Sequence, residues 1–148
     1  MAALALQSSG YSSRTLPEKL GFKPAMRAAF VALPDTLSDL PGSVDFRSVD
    51  QLHRWADVAA ANSYDAIHAF TTDRVELDLG LATLQRAIKP AGMIWVSWPK
   101  KASKIETEVT EDVVREAALR LDLVDVKVVA IDAVWSGLKL MIRKEKRP

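Results

Sequence analysis

Cysteine is absent from this 148-residue chain. Disulfides, thiolate nucleophiles and cysteine-based zinc sites are therefore excluded, and a reducing, cytoplasmic setting is the expectation. An excess of one charge is also missing: 20 basic side chains against 19 acidic ones leave a net +1. No global field draws such a chain to nucleic acid or an anionic membrane, so any basic patch must be local. No apolar run approaches the ~20 residues that span a bilayer. The opening "MAALALQSSG" lacks the positive flank and the apolar length of a leader, and residues 1–9 read as a frayed tail. Histidine is scarce. His53 and His68 stand far apart in the sequence, so no pair has metal-ligand spacing.

What is present is a core. About half the positions are apolar (49%), and a domain near this size buries roughly 70% of the surface its unfolded chain exposes. One domain is expected over residues 10–144, between disordered tails at 1–9 and 145–148. Thr15 and Glu18 form a capping box, Pro17 suits a first helical turn, and Gly21 supplies the stop. "MRAAFVAL", residues 26–33, is a nearly unbroken apolar run, the pattern of a strand buried on both faces. A brief strand is expected at 44–46, after which Asp50 is read as the cap of a helix reaching Ala61. "YDAIHAFTT", 64–72, is the next strand. Asp73 and Glu76 then make a second capping box opening a helix over 73–89, whose Leu77, Leu81, Leu84 and Ile88 share one face. Met93 to Trp98 is a further strand, and Thr110 caps a helix carrying Val113, Ala117 and Leu121. Strands at 123–131 and 137–143 close the chain as an antiparallel hairpin.

Strands alternating with helices imply right-handed crossovers and a three-layer, Rossmann-like α/β sandwich. The expected sheet is mostly parallel, of about six strands in the order 2-1-3-4-6-5, with the sixth antiparallel. Ligands on such sheets gather beyond the carboxyl ends of the strands. "PDT", "TTDR" and "SWPKK" should meet there.

A nucleotide cofactor at that edge wants glycines after the first strand, where backbone must approach the ligand and donate N–H groups. The chain has Leu33, Pro34 and Asp35 instead, and Pro34 has no N–H to give. No orthodox cofactor site is expected. Asp45 and Asp50 read as a turn residue and a helix cap, His68 as a core residue, and Ser97 has no glycine elbow around it. Glu106, Glu108, Glu111 and Asp112 read as solvated residues around a helix start. The stretch "WVSWPKKASK", 95–104, divides in two. Trp95 and Trp98 alternate on a strand end, and "PKKASK" offers ammonium groups to an anion. Thr71, Thr72, Arg74, Ser97, Lys100 and Lys101 are the expected lining of a site for a small phosphate or carboxylate ligand. Lys104 and Ser103 stand beside them. Stacking of single-stranded nucleic acid on the tryptophans is the weaker use of the same loop.

Four segments in order, "GYSSRTLPEKLGFKP", "WVSWPKKASK", "TEDVVREAALRLDLVDVKV" and "WSGLKLMIRK", resemble the bacterial family catalogued as domain of unknown function 3052. That resemblance covers Gly10 to Arg143, implies a small cytosolic bacterial protein, and brings no activity with it. "YDAIHAF", a helix, "IKPAGMIWVS", a helix and a closing hairpin are more distantly similar to the later half of class I methyltransferases. In those enzymes "KPGG" precedes the strand corresponding to 93–98; Ala91 departs from it slightly, and the missing glycine loop departs from it seriously. The leading expectation is a non-catalytic domain binding a small anionic ligand or a protein partner at the carboxyl edge. The alternatives are a divergent S-adenosylmethionine-dependent methyltransferase, with the cofactor near Ala32–Asp35 and Asp50, and a self-associating module using Trp135 and the hairpin "AVWSGLKL".

Overall fold

The computed structural model describes residues 14–148, so the expected tail at 1–9 lies outside the described residues. Helix α1 (Leu16–Leu20) forms where the capping box predicts: Thr15 Oγ1 accepts from the Glu18 N–H, and the Glu18 carboxylate accepts from the Thr15 N–H at 2.8 Å. Gly21, at φ +77°, turns the chain left-handed and sends its N–H back to the last helical carbonyls. The sheet comprises β1 (Arg27–Val31), β2 (Ser48–Leu52), β3 (Tyr64–Phe70), β4 (Ile88–Pro99), β5 (Leu123–Ala130) and β6 (Trp135–Ile142). Its order is β2-β1-β3-β4-β6-β5. Parallel pairing joins β2 to β1, β1 to β3 and β3 to β4, while β6 runs antiparallel to both β4 and β5. The sheet is thus mixed, with β6 alone reversed.

Two helices, α2 (Arg74–Ala87) and α3 (Glu111–Leu119), cover one face of the sheet. Leu77, Leu81 and Leu84 of α2 and Val114, Ala117 and Ala118 of α3 meet Val31, Ile67, Ile94, Val96, Leu138 and Leu140 there. Asp73 caps α2 by accepting from the Val75 and Glu76 N–H groups, and Thr110 caps α3 through the Val113 N–H. The opposite face is covered more thinly, by α1, the loop carrying Phe22, and 3-10 turns at Asp35–Leu37 and Leu40–Gly42. Trp95 ties this layer down, its indole N–H donating to the Leu20 carbonyl at 2.9 Å.

Three expectations give way. The helix from Asp50 to Ala61 does not form, and the second strand falls at Ser48–Leu52 rather than 44–46. Val49 and Leu52 of "SVDQL" pack on opposite faces of the sheet, and pairing Ser48–Leu52 with Arg27–Val31 recovers a full ladder on the outer side of β1. Asp50 is therefore a strand residue, and only a single 3-10 turn, Trp55–Asp57, follows it. The fourth strand begins at Ile88 rather than Met93. Ile88 pairs with Tyr64 and Met93 with Ala66, so residues 89–92 bulge between them. Gly92 is required there: a Cβ would stand 2.9 Å from the Tyr64 carbonyl. The basic C-terminal end is exposed, as expected, yet it makes a 3-10 turn at Lys144–Lys146, and Arg147 donates to the Ile142 carbonyl at 2.9 Å.

Candidate functional site at the strand-carboxyl edge

The connection after β1 runs outward to β2 and the one after β3 runs the other way to β4, so the strand order reverses between β1 and β3, the place where such sheets hold ligands. After β1 the chain turns at Ala32, whose φ of +57° is the conformation a glycine takes without strain; the Ala32 N–H donates to the Leu52 carbonyl at 2.8 Å. Holding a non-glycine residue there costs on the order of 1 kcal/mol. Leu33 and Pro34 follow, then the turn begun by Asp35. Beyond β2, Trp55 enters the crevice. It is fully buried, its indole N–H donates to the Phe70 carbonyl at the end of β3 at 3.0 Å, and its ring lies against Gly80 of α2.

The polar groups after β3 form a closed network. The buried Thr71 hydroxyl donates to the Glu76 carboxylate at 2.9 Å and accepts from the Asp73 N–H at 3.0 Å. The other Glu76 oxygen accepts from the Trp55 N–H at 3.5 Å. The expected reciprocal bond from Glu76 to the cap backbone is thereby exchanged for one that pins the Trp55 turn. Thr72 is exposed, and its carbonyl accepts from the Glu108 N–H at 3.0 Å. The Glu108 carboxylate accepts from the Arg74 N–H at 3.0 Å, so one of the acidic residues read as solvated braces this edge. The Arg74 guanidinium turns to Asp78 and Glu116, at 3.7 and 3.9 Å. It lines a groove of about 430 Å³ between α2 and α3 with Asp78, Leu81, Ala117, Arg120 and Leu121.

After β4 the expected anion contacts separate. Ser97 is fully buried and points into the thinly covered face, its Oγ 2.8 Å from Nε2 of the equally buried His68. Burial pushes the His68 imidazole down to about 3, so the ring is neutral across the physiological range. It stacks on Phe70 with ring centroids 4.3 Å apart, and its Nδ1 has no hydrogen-bond partner. A serine–histidine pair usable for acyl transfer needs an orienting group on that nitrogen and access to substrate; this pair has neither. The Lys100 ammonium is also committed, donating to the Asp132 carbonyl at 2.6 Å, while Asp132 caps the β5–β6 turn through the Val134 and Trp135 N–H groups. Lys101 is exposed. The expected six-residue lining therefore does not converge as one surface: Ser97 and Thr71 are sealed, Arg74 faces the helices, Lys100 braces a turn, and Thr72 and Lys101 remain open. Strand-end position was legible, but the direction of each side chain depended on partners distant in sequence.

Asp50, placed near the cofactor in the methyltransferase alternative, accepts a hydrogen bond from the Tyr64 hydroxyl. Burial, followed by the hydrogen bond and charge of Asp50, pushes the Tyr64 phenol up to about 12. Trp98 is buried on the helical face and Trp95 on the other, as their alternation predicts. Trp135 is half-buried with its ring edge-on to Phe70 at 5.2 Å, so it packs into its own domain. Sequence reasoning missed Trp55 because it lies in the stretch read as a helix. An orthodox adenosyl site does not fit these residues: Pro34 withholds an N–H, Asp50 is engaged, and Trp55 fills the space beside the end of β3. No group of His, Asp and Glu capable of holding a metal occurs among the described residues, and no helix among them is long and apolar enough to cross a membrane.

No family model matches the sequence, and no curated protein does either. Solved structures do match in fold. An S-adenosylmethionine-dependent methyltransferase from Aquifex aeolicus is 19% identical, with 85% of this chain and 89% of that one covered at a TM-score of 0.60. A TehB-like methyltransferase of the same cofactor class from Corynebacterium glutamicum is 10% identical, covering 93% and 92% at 0.60. Geranyl diphosphate C-methyltransferase from Streptomyces coelicolor, solved with S-adenosyl-L-homocysteine, is 10% identical, covering 81% and 70% at 0.58. At these identities the likeness establishes a methyltransferase-like α/β fold.

Proposed function

We propose that this chain is a divergent S-adenosylmethionine-dependent methyltransferase-type domain whose donor contacts differ from the glycine-loop pattern. The observation that supports it is the strand order β2-β1-β3-β4-β6-β5 with β6 reversed, on a fold shared with methyltransferases from several organisms. The reversal between β1 and β3 is kept, and Ala32 holds the left-handed turn after β1 without a glycine. Binding at Ala32–Asp35 would require the Trp55 turn to move outward. Calorimetry with S-adenosylmethionine and S-adenosyl-L-homocysteine tests this reading. Saturable heat with either is the expected result, and no heat at millimolar ligand removes the enzyme reading.

A second reading rests on the closed crevice. With Trp55 bonded to Phe70 and Thr71 bonded to Glu76, these two side chains are not free to contact an adenosyl ligand. The domain then serves as a non-catalytic binder of a small anion or a protein partner, including a second copy, through what remains exposed at Thr72 and Lys101. That reading expects no heat in the same titration.

A further inference from the structure

Besides the lysines of the β4 loop, a second cationic group lies on the thinly covered face. Lys127 of β5 and Lys139 of β6 are directly opposed in the antiparallel pair. Like charges so placed repel and destabilise a sheet. The Lys139 Nζ lies 3.8 Å from the position a Cβ would take on Gly21, at the end of α1, and Lys23 follows two residues later. Lys139 is half-buried, and its pKa is lowered by burial first, then by the charges of Lys127 and Lys23. All three ammoniums therefore act on one small region.

No described residue neutralises them. None of the three forms an ion pair with a described residue, and residues 1–13 contain no Asp or Glu. Glu18 is held by the Thr15 cap, and Asp125 is held by Arg115 at 3.0 Å. The carbonyls that end α1 are also engaged: those of Pro17 and Glu18 accept from Phe22 and Gly21, and that of Leu20 accepts from Trp95. The half-buried Lys139 thus stands beside the exposed Lys23 and Lys127 with no counter-charge among the described residues.

We propose that Lys23, Lys127 and Lys139 form a binding site for a small, phosphoryl-rich ligand on the face of the sheet opposite α2 and α3. Three separate ammoniums act as point charges on oxygens spread over neighbouring phosphoryl groups, whereas a single carboxylate is better matched by an arginine fork. The near-zero net charge argues against an extended nucleic-acid track. The site is independent of whether the carboxyl edge binds a methyl donor.

Thermal shift and calorimetry with pyrophosphate and tripolyphosphate, against sodium chloride at matched ionic strength, test the assignment on the full chain. Tripolyphosphate should raise the melting temperature more than chloride does. The Lys127→Gln/Lys139→Met variant should bind it at least tenfold more weakly, and without ligand should melt no lower than the parent because a repulsion has been removed. A Lys101→Gln/Lys104→Gln variant should bind as the parent does. The assignment is overturned by an equal effect of chloride, by unchanged binding in the first variant, by loss confined to the second, or by a single-stranded oligonucleotide that displaces tripolyphosphate.

Discussion

The two faces of the sheet are built from different materials. Beneath α2 and α3 the contacts are mainly aliphatic, with Leu77, Leu81, Leu84, Ile94 and Val96 in dry contact. On the other face Phe22, Phe30, Phe70 and Trp95 surround a buried histidine and serine, and lysines stand at the margin. A helix presents a regular stripe, so apolar residues at helical spacing suffice to cover the sheet. A layer of short turns presents no such stripe. Large rings then bridge the irregular gaps, and polar groups end up inside where one partner is available. The first face carries cohesion, and the second carries the groups that respond to protons and anions.

The largest expected effect lies where an aromatic residue enters the aliphatic face. Trp55→Ala should lower stability by about 3–5 kcal/mol in urea unfolding, through lost burial and an unfilled cavity. A loss under 1 kcal/mol would show that the indole is not seated between β3 and α2. The second test separates the faces by pH. The folded-state pKa of His68 lies below the unfolded value near 6.5, so the unfolded chain takes up the proton first. This contribution to stability is fully present above pH 6.5 and is lost as pH falls toward 3, at about 1.4 kcal/mol per unit. In a proton-detected titration the His68 ring should not shift between pH 7 and 5. A shift of that ring in this range would mean that the thin layer admits water. The smallest effect is expected from Gly80→Ala. A Cβ there would lie 2.9 Å from two Trp55 atoms, so a loss of about 1–3 kcal/mol should appear although alanine favours a helix. A stabilised variant would mean that the Trp55 turn yields easily.

Much of the fold was legible because the relevant signals are local. The capping residues Thr15, Asp73 and Thr110 all cap as read, and the apolar runs at 26–33 and 64–72 contain β1 and β3. The second strand was misplaced because "DQLHRWADVAAA" reads locally as a capped helix, while pairing with β1 is a long-range gain that no window of the sequence displays. The candidate site was legible in position and not in chemistry. Lys100 and Ser97 reach the carboxyl end of β4, but Asp132 and His68, each about thirty residues away in sequence, take up their polar groups.

By itself the sequence determined that the chain has no thiol chemistry, that its domain alternates strands with helices, that the turn after β1 lacks a glycine loop, and where most of the elements begin and end. These follow from composition, period and capping, which act within a few residues. Only the tertiary structure decided that Trp55 fills the crevice, that His68 meets Ser97 in a sealed layer, and that Lys127 and Lys139 stand opposite each other. Such pairings are set by strand register and by which face each strand buries, and both are fixed only when the whole sheet closes over its two layers.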